Sequence, residues 1–282
     1  MKYANANSFK AKIKNIAKEK EIPAQQVQQN YLIEQVLRLI SKSKYKDRFI
    51  VKGGYLISHI IGLDKRTTMD LDMTLKGEKL SPENLGTIFT EVLNQEGEEG
   101  FQFEFDSLSP IRKKDQYGGG FEVKINASFD TLREVVFIDV TTGDKITPRE
   151  IRYSVKSLFS DDEIKILSYN LETVLGEKLE AVISRGGASS RPRDRYDLFT
   201  LWKLRKDEVN LEVLKEALKN TVVKREAMEE LQKWQGQVAE IRSSDYQKQL
   251  WMKYQRSFKY AQEITFEESV DIVETIMNEL TV

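Results

Sequence analysis

The chain contains no cysteine and a single histidine, His59. Disulfides, thiolate nucleophiles and cysteine-ligated zinc or iron are therefore excluded, and one imidazole cannot build a histidine cage. Any metal must be a hard ion held by oxygen. Nowhere do 18 apolar residues run together, and the N-terminal stretch MKYANANSFKAKIKNIAKEK lacks the apolar segment of a secretory signal. A cytoplasmic protein with no membrane attachment is expected. An excess of one charge is missing too: 44 basic residues face 45 acidic ones, so a site for a polyanion would have to be a local patch.

What is present is length and an ordinary core. With 282 residues, 40% of them apolar, the chain can form one large domain or two ordinary ones. From Asn7 to Lys44 the apolar residues follow a helical period in two stripes, Phe9, Ile13, Ile16 and Ala17 in the first, and Pro23 opens the second. RFIVKGG then gives a short apolar run closed by Gly53 and Gly54 before the helical stretch YLISHII. TTMDLDMTL alternates, with Met69, Leu71, Met73 and Leu75 on one face and Asp70, Asp72 and Thr74 on the other. SPENLGTIFTEVLNQ has Ser81 as N-cap and Pro82 at the first helical position. After the acidic loop EGEEG, three strand-like runs, FQFEFDSLSPIR, GGFEVKINASFD and REVVFIDVTTGD, extend the same sheet, the first two joined around Gly118 to Gly120. Beyond Pro148 the strand signal fades and helical patterns dominate. The expected division is 1–161 for a sheet domain with N-terminal helices and 162–282 for a mainly helical domain.

Two constellations carry chemistry. Asp70 and Asp72, at i and i+2 on a strand, present two carboxylates on one face with Cα atoms about 6 to 7 Å apart. Such a pair is costly in an apolar strand unless a basic side chain, Arg66 or Lys52, or a divalent cation answers it. Asp139, a lone acid after four apolar residues in VVFIDV, would complete a three-acid set if its strand lay beside the first. Gly53 and Gly54 precede a helix, where backbone amides can cradle a phosphate, although a plain structural turn uses the same residues. His59 falls among Ile57, Ile60 and Ile61 and reads as packing.

The second constellation is SYNLETVLGEKLEAVISRGGASSRPRDRYDLFTLWK. Lys178 lies in an apolar helix beside Leu175, Leu179 and Val182, either with a snorkelling stem or as a buried phosphate ligand. Asp194 and Asp197 are one turn apart near a helix start among Arg191, Arg193 and Arg195, which equally describes an i, i+3 salt-bridge lattice.

KYKDRFIVKGGYLI, KRTTMDLDMTL, FIDVTTGDKITP, ETVLGEKLEAVISRG and RPRDRYDL, in that order, resemble the motifs of the AbiEii/AbiGii toxin family of nucleotidyltransferase-like proteins from abortive-infection and toxin–antitoxin systems. The resemblance runs from Ser8 over nearly the whole chain. It departs from the wider superfamily at Gly54, where many members have serine. It implies an α+β fold with an N-terminal nucleotidyltransferase-like mixed β-sheet domain, flanking helices and a mainly α-helical C-terminal domain, with the active site in a cleft between them. It further implies that Asp70, Asp72 and Asp139 hold Mg²⁺ or Mn²⁺, and that Asp139 also orients or deprotonates the acceptor hydroxyl. Lys52, Gly53, Gly54, Arg66 and Thr68 would lie near the nucleoside triphosphate. Lys178 would neutralise phosphate charge, Asp194 would contact Lys178, the base or the acceptor, and Asp197 is the alternative acid at the nucleotide. Arg185, Arg191, Arg193 and Arg195 would meet the acceptor. The implied reaction transfers a nucleoside monophosphate from an NTP to an acceptor, RNA and in particular tRNA, arresting growth during phage infection. The chain would act as a monomer, and its antitoxin need not form a stable complex with it. The rival readings are transfer to a small molecule or protein, or a nucleotide- or RNA-binding module without transferase activity.

Overall fold

The computed structural model describes residues 3–95, 100–111 and 119–280. Most of the expected acidic loop and Gly118 of the expected turn lie outside them. The chain divides into two compact units, Met1–Asp144 with Ile151–Ser168, and Lys145–Glu150 with Tyr169–Val282.

The first unit begins with two helices, α1 (Ala6–Lys20) and α2 (Ala24–Lys42). The Asn5 side chain accepts from Ser8 N at 2.9 Å and starts α1, which buries the predicted stripe Phe9, Ile13, Ile16 and Ala17. Strand β1 (Phe49–Lys52) runs directly into α3 (Gly53–Ile61), and β2 (Leu71–Leu75) follows. Helix α4 (Pro82–Leu93) is capped by Ser81 as its sequence suggests. Then come β3 (Gln102–Pro110), β4 (Gly120–Phe129) and β5 (Leu132–Thr142). Two further strands, β6 (Ile151–Lys156) and β7 (Glu163–Ser168), lie where the strand signal fades in the sequence. Apart from Ile151 their exposed positions are polar, so neither shows a continuous apolar run.

The seven strands form one mixed sheet in the order β3-β4-β5-β2-β1-β7-β6. The β5–β2 and β2–β1 pairings, parallel and antiparallel respectively, put the acid-bearing strands at its centre. Side chains alternate across each strand. One face carries Val51, Leu71, Met73, Ile138, Val140, Val123 and Ile125, all at most 1% exposed, and forms the core. The opposite face carries Lys52, Asp72, Thr74, Asp139, Thr141 and Glu122. Hydrophobic burial thus fixes the register, and the register delivers the polar residues to one face as a set.

The second unit is helical: α5 (Leu171–Arg185), α6 (Pro192–Arg205), α7 (Leu211–Lys224), α8 (Met228–Gln232), α9 (Trp234–Ser243), α10 (Asp245–Ser257) and α11 (Phe266–Leu280). Tyr196, Trp251, Tyr254, Ala261 and Ile264 form an aromatic-rich core. The short segment Lys145–Glu150 belongs here through Thr147. Its N–H donates to Thr173 Oγ1 at 3.0 Å, its carbonyl accepts from Asn170 Nδ2 at 2.6 Å, and its hydroxyl accepts from Asn220 Nδ2 at 3.0 Å. No helix among the described residues is long and apolar enough to cross a membrane.

Candidate active site

The sheet register brings the predicted acids together. Asp72 in β2 is paired with Asp139 in β5, and on its other side with Lys52 in β1. Glu122 in β4 is opposite Asp139, which extends the row by one more carboxylate. Paired positions on neighbouring strands share a face, so Lys52, Asp72, Asp139 and Glu122 form a transverse line on the polar side of the sheet. Asp139 is 7% exposed and Asp72 is half-buried. Asp70, expected within the strand, stands one residue before β2 and is exposed, with its backbone N–H directed to Thr68 Oγ1 at 3.4 Å.

The glycine turn is shaped around Asp72. Gly53 has φ of 67°, a region in which a side chain is strained, and a Cβ there would lie 2.1 Å from Asp72 Oδ2. Both the backbone and the carboxylate therefore require glycine at this position. At Gly54 a Cβ would lie 3.0 Å from Thr68 Oγ1 and 3.3 Å from Arg66 Nη2, so the space beside it is already filled. Arg66 is buried, and its Nη1 donates to Thr67 O. The ammonium of Lys52 is held by Asp144 Oδ2 at 2.5 Å and Thr141 Oγ1 at 2.7 Å. Thr74 also donates to Asp144. Asp144 lies within FIDVTTGDKITP, but no local spacing marks it as the partner of Lys52. His59 packs as expected, its Nδ1 3.0 Å from Tyr55 O, and burial pushes its pKa below the ordinary value.

The second constellation closes within the helical unit. Lys178 Nζ lies 2.5 Å from Asp194 Oδ1 and 2.9 Å from Asp197 Oδ2, so both acids of α6 converge on the lysine of α5. Arg191 Nε and Arg185 Nη1 approach Asp194 Oδ2 at 3.2 and 3.7 Å. Burial pushes the Asp194 carboxyl up, but the charges of Lys178 and Arg191, the Lys178 hydrogen bond and Arg193 outweigh it and bring the group down to about 2. Asp194 is thus a carboxylate at any physiological pH.

A family profile, "Nucleotidyl transferase AbiEii toxin, Type IV TA system", matches residues 35–272. The chain belongs to this family of nucleotidyltransferase toxins. Its fold is similar to that of MenT4, a nucleotidyltransferase toxin from Mycobacterium tuberculosis, over 95% of this chain and 98% of that one, at 13% identity and a TM-score of 0.51. JHP933 from Helicobacter pylori aligns over 91% of this chain and 94% of its own, at 16% identity and a TM-score of 0.47. At its identity the likeness to MenT4 speaks for the fold alone. No curated protein matches the chain in sequence.

For this member of the AbiEii family the expected acceptor loop needs correction. Arg195 is 1% exposed and sits inside the helical core, where Nη1 donates to Gln247 Oε1 at 2.8 Å and the guanidinium lies over Trp251 and Phe266. It cannot meet an acceptor at a surface. Burial pushes its pKa down to about 10, against the opposing pull of Asp194. Nor is the loop backbone free, because Gln247 Nε2 donates to Gly187 O at 2.8 Å and Ser189 O at 2.7 Å. Arg185 and Arg191 are turned toward Asp194, and Arg193 alone of the four is exposed. Gln247, fully buried and far along the chain, is the residue that ties this loop to Arg195, and no local pattern announces it.

Proposed function

We propose that this protein is an active transferase that moves a nucleoside monophosphate from an NTP onto a hydroxyl of an RNA acceptor, with tRNA as the expected target, and so arrests growth during phage infection. The observation that carries the reading is the register pairing of Asp72 with Asp139 on the polar face of the sheet, with Gly53 opening α3 against the Asp72 carboxylate. In the reaction the acceptor oxygen attacks the α-phosphorus, the bond to the β-phosphate oxygen breaks, and pyrophosphate leaves. Asp139 takes the proton of the attacking hydroxyl. The amides at the start of α3 face the triphosphate.

Among the described residues no three acidic, cysteine or histidine side chains converge as a ready metal cage. Mg²⁺ does not need one, since it is commonly held by one or two carboxylates together with substrate phosphates and water. Asp72 and Asp139, two hard oxygen donors on adjacent strands, fit that demand, with Asp70 beside them. When bound, the ion would draw charge from the phosphate oxygens. The type IV family brings with it an antitoxin. We expect that antitoxin to act without forming a stoichiometric complex with this chain, which co-expression and size-exclusion chromatography would check.

The test is incubation with each labelled NTP, Mg²⁺ and total RNA. Label should enter RNA with wild-type protein and not with Asp72→Asn. Label appearing only in protein or small molecules, or none with any NTP, would overturn the reading.

A further inference from the structure

We infer that a lysine ridge on α1, formed by Lys10, Lys14 and Lys18, is a docking site for the phosphate backbone of RNA. The inference extends the reading of RNA as acceptor and rests on it for the choice of partner. It starts from the loop 184–195, whose arginines are largely turned inward, which leaves the contact with a long polyanion to another part of the surface. Helix α1 carries five lysines and one acid, Glu19, in a chain whose charges balance only when this helix is counted.

Lys10, Lys14 and Lys18 follow one another at i, i+4 and i+8, so they line a single flank of the helix over about 12 Å. Asn7, Ala11 and Asn15 fill the same flank, and Glu19 points to the other side, toward Lys12. All three lysines are exposed, and among the described residues none has an ion pair or side-chain hydrogen bond. Several other surface cations have acids beside them: Arg242 meets Glu267, Asp271 and Glu274, Lys206 meets Glu279, and Lys233 meets Glu229. Like charges one turn apart weaken a helix, so the ridge opposes the stability of its own element. The helix tolerates this because it is anchored from beneath by Phe9, Ile13 and Ile16 and capped at Asn5. A firmly held helix with an acid-free row of flexible cations suits a phosphate chain, which is recognised by charge and not by base.

The test measures binding of bulk tRNA without nucleotide, by fluorescence anisotropy, from about 50 to about 300 mM KCl. The variant K10Q/K14Q/K18Q keeps helix-forming side chains and removes three charges. Its affinity at low salt should fall by about tenfold or more, and the slope of log affinity against log salt should become shallower by about 2 to 3. K10R/K14R/K18R should bind like the wild type, and K12Q, on the other flank, should change little. Circular dichroism of each variant verifies the helix content. Wild-type affinity and slope in the glutamine variant, as a plain solvated face or a site for an acidic protein would give, overturn the inference, as does failure of the wild type to bind tRNA at low salt. Transfer is read separately. RNA labelling with ridge-independent binding sinks only the ridge, whereas ridge-dependent binding without labelling by any NTP sinks only the transferase reading.

Discussion

In the helical unit Lys178 meets Asp194 and Asp197 at 2.5 and 2.9 Å, whereas on the sheet Asp72 and Asp139 stand side by side as like charges on paired strands. The first cluster answers its own charges, and burial makes their balance a condition of the fold. The second sets Asp72 and Asp139 directly opposite each other, an arrangement of like charges that is unfavourable on paired strands, with Lys52 on the other side of Asp72. On the proposed reading the first cluster holds the molecule together and the second serves a ligand, and each of the following changes presses on one side of that contrast.

The largest stability effect belongs to the balanced cluster. Lys178→Met leaves two buried carboxylates facing each other and should destabilise the helical unit by about 3 to 5 kcal/mol, measured by urea unfolding. Next comes Gly53→Ala, which forces a side chain into a positive-φ position and toward Asp72 Oδ2. It should lose about 1 to 3 kcal/mol in the same measurement, and transfer activity with it.

Acid titration gives a comparable but pH-dependent effect. The Asp194 carboxyl, at about 2 in the fold, lies below its ordinary value of 3.8. Its folded pKa is depressed, so its contribution of roughly 2 kcal/mol is present above about pH 4 and is lost as pH falls toward about 2. Unfolding free energies of the wild type and Asp194→Asn should converge over that window. The smallest effect is expected at Arg193, the exposed arginine of its loop. Arg193→Ala should alter stability by no more than about 0.5 kcal/mol.

Much of the sheet could be read from the chain because burial on one face imposes a period of two, which TTMDLDMTL shows, while VVFIDV reads as a short apolar run with one acid. The adjacency of Asp72 and Asp139 needed only that their strands be neighbours. β6 and β7 escaped notice because IRYSVK and EIKILS mix polar residues into short runs. Arg195 misled for a different reason. Helix α6 is buried on nearly every side, at Asp194 through Leu198 and at Thr200 through Trp202, so charge in its sequence does not mark a surface. Asp144 and Gln247 are placed by contacts across many residues of chain, which no local spacing encodes.

The central claim is that the sheet acids serve a ligand and not the fold. It is tested most directly by Asp72→Asn, assayed for nucleotide transfer to RNA and for urea unfolding on the same preparation. The account predicts a loss of transfer of about a thousandfold or more, with stability unchanged or raised by up to about 1 kcal/mol as a like charge is removed. Wild-type transfer by this variant, or a loss of stability matching that of Lys178→Met, would contradict it.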